Sequence, residues 1–494
     1  MSVIPENLRR LKLDSLQASM YIKSGMNVAM GGYSGAGYPK ATVVALKQRK
    51  TDGEDLRISL LTGANVPFID EHLAQLDMIE RRIPMVAHKT LSVLVNKGHT
   101  HYVEQQMNRM PHLLHRDAFG SIDVLVLEAL GFDKDGYLIP TNAIGMLDIL
   151  IMKASKIIIE INSGQPKKLA LLHDIYSPQK APYTAPIPLL MVNQRIGLKG
   201  IPFDHEKIVA IVETNIQEES TTLFQTNEIT ESLAQNLFNF LEIEYASRGG
   251  TLPPIQTGFG AIADSIAIGL EKSNFKNLEF FCGGVGESII RLIEKGKATS
   301  VSTGGLGMNE YVSSFINSHP NIEHSLVIRN GSITNSSEII NRLSLIAINT
   351  GIEVDIYGNV NSSHINGTRV VNGIGGGANF AQNSGLSIIL IPSSSKQDTI
   401  SHIVPMVSHQ DISGHDIDII ISEHGVADIR GLDDREIATT IINNCAALPY
   451  RPLLKRYLYE AISTVGGHHP QLPLEAYRWH QRLQESGSML MEDK

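Results

Sequence analysis

Short apolar runs and longer stretches with apolar residues three or four positions apart alternate along this chain. Short runs of β-branched and aliphatic residues predict buried strands, and their alternation with helical stretches is typical of a mostly parallel sheet. The predicted strands are Met26–Met30, Ile58–Leu61, Asp123–Leu130, Lys156–Ile161, Lys207–Thr214, Leu386–Ile391 and Asp418–Ser422. We therefore predict an α/β protein of two domains, 1–222 and 223–494.

Two segments do not follow this alternation. Apolar residues recur at a helical spacing after residue 227, which predicts an amphipathic helix with Ile229, Leu233 and Leu237 on one face. The segment 166–204 is rich in proline and polar residues, and we predict that it is a long excursion that adds no new core.

The stretch 278–296 contains the strongest signals for a ligand site. An apolar strand that ends at Cys282 is followed by Gly-Gly-Val-Gly at 283–286, which predicts a tight turn, and an amphipathic helix begins at Glu287. A strand that enters a helix through a glycine turn directs backbone N–H groups into the crevice above a sheet. No side chain of the turn can attack, accept a proton or hold a metal. We therefore expect a site that works through backbone donors and shape, unless Cys282 or Glu287 supplies a group.

A second glycine-rich stretch, GGYSGAGYPK, occupies residues 31–40. Its last glycine is not followed by the Lys-Ser/Thr pair of a P-loop, and its glycines do not have the spacing of a dinucleotide fingerprint. Two interpretations stay open: a plain βα turn in which Pro39 opens a helix, and a loop that faces the substrate.

Composition and charge restrict the possible partners. Of the 494 residues, 42% are hydrophobic and 19% are charged, and the formal net charge is -9. Scattered basic residues and a negative net charge repel phosphate backbones, so we expect no nucleic acid partner. The first 15 residues are not typical of a secretory or transit peptide, and no apolar run is long enough to span a bilayer. We expect a cytoplasmic protein with no membrane partner.

The cysteine and histidine positions do not indicate a metal or redox centre. Cys282 and Cys445 have no CxxC spacing and are too few for a disulfide framework. The histidine pairs lack carboxylate or cysteine ligands in motif spacing, so we expect loop histidines and no metal site.

Three features of the second half place groups in a crevice. Gly258 and Gly260 precede a predicted helix whose N-terminus can present donors to an anionic group. Four of the five residues at 373–377 are glycines, so the backbone of this loop can approach a ligand closely. Glu423 follows a predicted strand, and a carboxylate at the carboxyl end of such a strand lies in the crevice rather than in the core.

Several long motifs together resemble the acetyl-CoA hydrolase / succinyl-CoA:acetate CoA-transferase family over essentially the whole chain. The motifs are GAGYPK, SLLTGAN, KIVAIVETN, IEVDIYGNVNSSH, NGIGG, SHIVPMVSH, EHGVADIRGL, WHQR and SGSML. The resemblance implies two similar CoA-transferase-type α/β domains with mostly parallel sheets, CoA-binding loops on the C-terminal domain, and an active site between the domains. It also implies acyl-CoA and carboxylate substrates, a homodimer, and no cofactor besides the coenzyme A thioester that is itself a substrate.

In this family a strand-end glutamate attacks the thioester and gives an acyl anhydride and then a glutamyl-CoA thioester, which a second carboxylate resolves. The family motif Tyr-Thr/Ser-Glu corresponds to Phe281, Cys282 and Gly283, so Gly283 stands at the position of the nucleophilic glutamate. The sequence also departs from the family pattern at Asn65, Asn379, His424, Gly304 and Gly305.

The resemblance assigns the thioester-binding groups to residues that this chain retains. Thr257, Gly258, Phe259 and Gly260 match the loop along the CoA thioester, with the N–H groups of Phe259 and Gly376 as oxyanion-hole donors. Two such donors keep a thioester carbonyl polarised even without the glutamate.

Four further assignments come from the same resemblance. They are Lys396 near the CoA phosphates, Ile352 as a backbone contact, Asn335 as the amide that orients the reacting carboxylate, and Glu423 as a second active-site carboxylate. The alternatives are that Lys396 is a solvated loop lysine and that Glu423 is a structural partner of a backbone N–H.

Two hypotheses for the function follow. The first is an acyl-CoA:carboxylate CoA-transferase or acetyl-CoA hydrolase for short acyl-CoA thioesters of the acetyl or succinyl type, working without a glutamyl-CoA intermediate. Two bound substrates would then form a mixed anhydride directly, and FFCGGVGE is similar to the Ala-Leu-Gly-Gly stretch of citrate lyase α subunits, which use no such intermediate. The second is a catalytically silent acyl-CoA-binding homologue with a regulatory or partner role. Two replacement nucleophiles are weaker alternatives: Cys282 is typical of a buried strand filler, and Glu287 is expected to complement the positive helix end.

Overall fold

The computed structural model describes residues 4–86, 88–179, 182, 184–218 and 223–490. The chain forms two compact units, one made of Met1–Thr222 and Asn277–Leu343, the other of Leu223–Lys276 and Ser344–Lys494. Both units contain parallel strands connected by helices, which confirms the predicted α/β class. The division into two family domains at residue 222 stays a prediction.

The strands of the described residues are β1 Asn27–Met30, β2 Ile58–Thr62, β3 Ile79–Ile83, β4 His101–Tyr102, β5 Ile122–Phe132, β6 Leu138–Pro140, β7 Ala154–Asn162, β8 His173–Asp174, β9 Ile208–Thr214, β10 Ile255–Thr257, β11 Leu278–Val285, β12 Ala298–Leu306, β13 Leu326–Arg329, β14 Ile346–Thr350, β15 Glu353–Asp355, β16 Val360–Asn361, β17 His364–Ile365, β18 Arg369–Val370, β19 Leu386–Leu390, β20 Ser394–Ser395, β21 Ile400–Ser401, β22 Ile403–Val404, β23 Ile419–Ser422 and β24 Gly425–Asp428.

The α-helices are α1 Ser15–Ser19, α2 Ala41–Thr51, α3 Pro67–Ala74, α4 Lys89–Asn96, α5 Met110–His115, α6 Leu147–Lys153, α7 Glu228–Glu244, α8 Ala261–Lys272, α9 Glu287–Glu294, α10 Glu310–Ser318, α11 Gly331–Thr334, α12 Ser337–Leu343, α13 Gly377–Asn383, α14 Asp434–Asn444, α15 Arg451–Thr464, α16 Pro473–Ala476 and α17 Arg478–Ser486.

The first unit contains two runs of parallel strands. One has the order β4-β3-β2-β1-β5-β7-β9, with β6 added antiparallel to β5. The other has the order β11-β12-β13-β8. Strands β5 and β7 are buried along most of their length and nearly continuous in apolar residues, as expected of parallel strands covered on both faces.

In the second unit, β10, β14, β19 and β23 are parallel neighbours in that order, and β24 closes the run antiparallel to β23. Parallel strands share one carboxyl edge, so the residues that follow these four strands lie along the same side of the sheet. A separate apolar core on this unit surrounds Val354, Ile389 and Ile420 and extends to Tyr450 and Trp479 of the C-terminal helices.

Most strand predictions are confirmed within a few residues, but two of our predictions are wrong. Residues 283–285 are not a turn, because they continue β11 and pair with β12 through Gly284 and Gly305. The segment 166–204 does add core, since β8 pairs with β13 and Leu169, Leu172 and Leu189 are buried.

Within the described residues, no helix is long and apolar enough to cross a membrane. The same residues contain no group of three or more His, Cys, Asp or Glu side chains arranged to hold a metal ion.

A buried network of charges fixes the glycine-rich loop 31–40 in the first unit. The Lys40 ammonium, 2% exposed, is paired with Glu128 and lies 3.7 Å from Glu218. The Glu160 carboxylate accepts hydrogen bonds from the backbone N–H groups of Lys40 (2.7 Å) and Thr42 (2.5 Å) at the start of α2. The backbone donors at the start of α2 are therefore bound by a carboxylate of the protein itself.

Burial raises the pKa of Glu128 to about 7 and also raises the pKa of Glu218, while Lys40 opposes both shifts. Because the folded protein binds more protons than the unfolded chain between the ordinary glutamate pKa and about 7, the free energy of unfolding falls as the pH rises through this window.

We predict that Lys40→Met lowers the free energy of unfolding by about 3–5 kcal/mol at pH 8, because two buried carboxylates lose their cation. The loss should be smaller at pH 5, where both glutamates can be protonated, and denaturant unfolding at the two pH values measures it. Lys47→Met, on the same helix but bound to Gln75 at an exposed position, is the control. An equal loss at both pH values would contradict the proposed charge balance.

Candidate active site

Gly283 lies within β11 of the first unit, between the strand pairs Cys282–Thr303 and Gly284–Gly305. Its φ is not in the left-handed region, so the backbone itself accepts a side chain. A Cβ built on Gly283 meets one atom within 4 Å among the described residues, the Tyr33 hydroxyl oxygen at 3.7 Å. The Cβ side of Gly283 therefore faces a space with the Tyr33 phenol at its base.

The Tyr33 side chain is enclosed by glycine backbones, which we call the glycine slot (Gly63, Gly145 and Gly304). A Cβ added to Gly304 would lie 2.7 Å from Tyr33 Cε1, and one added to Gly145 would lie 2.8 Å from Tyr33 Cδ2. Both distances are shorter than real carbon contacts, so the ring fits here because these residues have no side chains. The glycine pair at 304–305 leaves the room that Tyr33 occupies.

The Tyr33 hydroxyl is bound to Asn335, whose side-chain Nδ2 donates to it at 2.5 Å. Asn335 Nδ2 also lies 3.1 Å from Thr334 Oγ1. Burial raises the pKa of Tyr33 to about 12, and hydrogen bonding with Asn335 and Thr334 opposes this shift. The phenol is thus protonated throughout the neutral range.

The two replacement nucleophiles considered from the sequence are both committed elsewhere. Cys282 is a fully buried strand residue. The Glu287 carboxylate accepts hydrogen bonds from Arg291 Nε (2.8 Å) and Asn309 Nδ2 (2.6 Å), so it stabilises the start of α9 through side chains. Neither group is presented as a nucleophile beside Gly283.

In the second unit, Thr257 ends β10, and Gly258, Phe259 and Gly260 form the turn into α8. Gly260 has φ 122°, a backbone conformation that favours glycine. The Phe259 side chain is 48% exposed, while Thr257 is 5% exposed. The turn is open at this point, which suits a loop that lies along an extended ligand.

Gly376 immediately precedes α13 and has φ -105°, which any residue can adopt. Strand β10 is linked to this helix through Asn349 of β14. Gln256 Nε2 donates to Asn349 Oδ1 at 3.4 Å, and a Cβ added to Gly377 would lie 3.6 Å from the same oxygen. The turn after Thr257 and the loop before α13 are therefore neighbours on one sheet edge.

Glu423 follows β23 on the same edge, and its carboxylate is held by Ser393. The Ser393 backbone N–H donates to Oε2 at 2.8 Å and its hydroxyl donates to Oε1 at 2.5 Å. The Glu423 side chain is 17% exposed. These contacts correspond to the alternative stated for Glu423, that of a structural partner for a backbone N–H.

Two further binding candidates lie elsewhere on the second unit. Both backbone polar groups of Ile352 are used, since its N–H donates to Asn361 O (2.7 Å) and its carbonyl lies 2.6 Å from His402 Nδ1. Lys396 is exposed at the tip of the hairpin between β20 and β21, with φ 50°. Its role at the CoA phosphates stays a prediction.

The structure thus groups the candidates by unit. Gly283 and Asn335 come together around Tyr33, and Thr257–Gly260, Gly376 and Glu423 share one sheet edge. Tyr33 itself was missed by the sequence interpretation. The sequence feature that could have indicated Tyr33 is its position in the glycine-rich loop 31–40. Its contacts with residues more than 100 positions away leave no local sequence pattern.

Comparison with known proteins identifies relatives along nearly the whole chain. Residues 9–213 match the acetyl-CoA hydrolase/transferase N-terminal domain, and residues 311–458 match the acetyl-CoA hydrolase/transferase C-terminal domain. The succinyl-CoA:acetate CoA-transferase of Clostridium kluyveri is 37% identical over 497 residues, which cover 99% of this chain and 92% of that protein.

Two other comparisons agree with this result. The acetyl-CoA hydrolase of Candida glabrata is 34% identical over 491 residues, covering 95% of this chain and 93% of that protein. The crystal structure of RipA from Yersinia pestis superposes with a TM-score of 0.71 at 19% identity, over 90% of this chain and 96% of that one. At this identity the superposition establishes the fold alone.

The glycine slot gives a matched pair of substitutions. We predict that Gly304→Ala lowers the free energy of unfolding by about 1–3 kcal/mol, because the new methyl group overlaps the Tyr33 ring and the Gly283 carbonyl. Gly283→Ala should change it by less than about 1 kcal/mol, because its methyl group meets only an ordinary contact. Denaturant unfolding of both variants measures the difference, and equal effects would show that the slot is not tightly packed.

Proposed function

Because this chain belongs to the acetyl-CoA hydrolase/transferase family, we propose that it transfers coenzyme A between short acyl-CoA thioesters and carboxylates without a covalent intermediate on the enzyme. The observation that carries the proposal is the absence of a carboxylate side chain at Gly283 within β11. Cys282 is buried and Glu287 is engaged by Arg291 and Asn309, so neither replaces it. Relatives named as acetyl-CoA hydrolases and as a CoA-transferase support the coarser statement that the protein acts on acyl-CoA.

The proposed exchange has two balanced steps. A carboxylate oxygen of the acceptor attacks the thioester carbonyl carbon, the C–S bond breaks, and coenzyme A leaves as a thiolate beside a mixed anhydride. The thiolate then attacks the acceptor's carbonyl carbon, a C–O bond breaks, and the donor's acid is released as a carboxylate. No proton is taken up or released, and the protein's contribution is to hold both substrates at reacting distance and to stabilise the oxyanions.

We assign the thioester to the loops of the second unit. The turn Thr257–Gly260 is open, and Gly376 begins the approach to α13 without a side chain, so backbone donors can lie against a carbonyl oxygen. The N–H groups of Phe259 and Gly376 are the proposed oxyanion donors. Lys396, exposed on its hairpin, is placed by the same proposal at the CoA phosphates.

A catalytically silent acyl-CoA binder is the second candidate, and one observation favours it. Both carboxylate oxygens of Glu423 are bound by Ser393, so this group is not free in the structure to act on a substrate. The two candidates agree on acyl-CoA binding and differ on turnover.

We predict initial rates typical of a ternary complex, with intersecting double-reciprocal lines for acetyl-CoA and carboxylate, because no acyl or CoA group rests on the enzyme between the two substrates. Intact-protein mass spectrometry after incubation with acetyl-CoA and hydroxylamine should find an unmodified chain. Parallel lines together with a stable adduct on any glutamate would overturn the direct mechanism. Binding of acetyl-CoA in calorimetry without turnover on any carboxylate would select the silent binder.

We predict that Gly376→Val lowers kcat by about 100- to 1000-fold, the loss typical of an oxyanion hole without one donor, because the isopropyl group would fill the space in which the oxyanion meets this N–H. Its φ of -105° accepts an L residue, so circular dichroism should be unchanged. Gly377→Ala is the matched control, because its Cβ meets Asn349 Oδ1 at an ordinary 3.6 Å and leaves the Gly376 N–H in place. Normal kcat in Gly376→Val would show that the oxyanion donor lies elsewhere.

A further inference from the structure

Tyr33 is held rigidly in the first unit and lies beside Gly283. Its ring lies in the glycine slot and is 1% exposed. Its backbone N–H and carbonyl pair with Ala36 O (2.9 Å) and Ala36 N (3.1 Å), so the loop closes on itself around the residue. A side chain held this way loses little further freedom when it binds a ligand.

The hydrogen bonds at the Tyr33 hydroxyl determine which way it can act. A phenol accepts hydrogen bonds and donates one. Asn335 Nδ2 donates to the oxygen at 2.5 Å. Because the oxygen accepts from Asn335, the O–H proton is the group left to bind a ligand, and a donor that points at the oxygen polarises the O–H bond and strengthens what it donates.

The space next to that hydroxyl is the one above Gly283. The Cβ position of Gly283 lies 3.7 Å from the Tyr33 oxygen, and no other described atom lies within 4 Å of it beyond the chain neighbours. An oxygen placed slightly deeper than this Cβ would reach the 2.5–2.7 Å separation of an O–H···O⁻ hydrogen bond. Gly283 is half-buried, so a small ligand can approach this space from solvent, and the phenol beneath it is 1% exposed.

We propose that the Tyr33 hydroxyl binds one oxygen of the acceptor carboxylate above Gly283, in the space that a side chain at this position would fill. The inference rests on the proposed function, because it names the group that holds the second substrate. The donor is neutral, so it fixes the carboxylate without an ion pair and leaves its second oxygen available for attack. The expected ligands are small carboxylates, with acetate as the simplest.

The test compares Tyr33→Phe with Tyr459→Phe, a substitution on an exposed tyrosine. Phenylalanine keeps the ring in the slot and removes only the hydroxyl. Acetate binding is measured by NMR titration in the absence of acyl-CoA, and the KM values for acetate and acetyl-CoA are measured separately. We expect about tenfold weaker acetate binding and a similar rise in the KM for acetate, the effect of losing one charge-assisted hydrogen bond. The KM for acetyl-CoA should not change in Tyr33→Phe. In Tyr459→Phe, acetate binding and both KM values should equal those of the unsubstituted protein.

Gly283→Ala provides an independent variant, because its methyl group fills the proposed space without touching the ring. It should also weaken acetate binding and should keep the stability of the unsubstituted protein. Acetate binding that is unchanged in both variants would overturn the proposal. So would a loss that is equal for acetate and acetyl-CoA, because that is the effect of a merely structural hydroxyl.

The outcomes separate this inference from the proposed function. Acetate binding that depends on Tyr33 in a protein with no turnover would refute the transferase activity and support the carboxylate site. Ternary-complex turnover with an unchanged KM for acetate in Tyr33→Phe would support the transferase and refute the site.

Discussion

Two buried carboxylates facing one buried ammonium fix the loop on which the first unit's candidate site depends. Lys40 is paired with Glu128 and lies near Glu218, which in turn accepts from the Gly37 N–H (2.7 Å) and from Asn142 Nδ2 (2.8 Å). Asn142 also donates to the carbonyl of Leu306 at the end of β12 (2.7 Å). The charges thereby connect the loop 31–40 to the strand beside β11. Burying these charges costs desolvation free energy, and their hydrogen bonds and ion pairs hold the loop 31–40 in one position.

The same loop explains why several glycines occur together. Tyr33 projects from it into the glycine slot, and a methyl group on Gly304 or Gly145 would overlap the ring. The Tyr33 ring therefore fills the interior volume that these glycines leave open. Gly283 lies over the hydroxyl rather than against the ring, so the ring itself does not exclude a side chain there.

The sequence predicted what depends on local pattern. Apolar runs located strands such as β5 and β7, and the motifs located the family and the turn before α8. The local pattern predicted a turn at Gly283 because glycine is typical of turns. In the structure, pairing with β12 on both sides keeps this residue in an extended strand. Strand β8 was missed because its partner, β13, is more than 150 residues away in sequence. The Tyr33–Asn335 contact, across 302 positions, has no local signal at all.

Under the proposed function, a phenol beside Gly283 also affects which acceptor the site can use. Water must lose a proton as it attacks a thioester, so hydrolysis needs a base whose pKa lies near the working pH. Burial raises the pKa of Tyr33 to about 12, and its oxygen already accepts from Asn335, so this phenol does not take up a proton. The Glu287 carboxylate at the start of α9 is occupied by Arg291 and Asn309. A carboxylate acceptor is already an anion and needs no base. Under the proposed function, the surroundings of Gly283 therefore suit a carboxylate acceptor better than water, through the donor character of Tyr33.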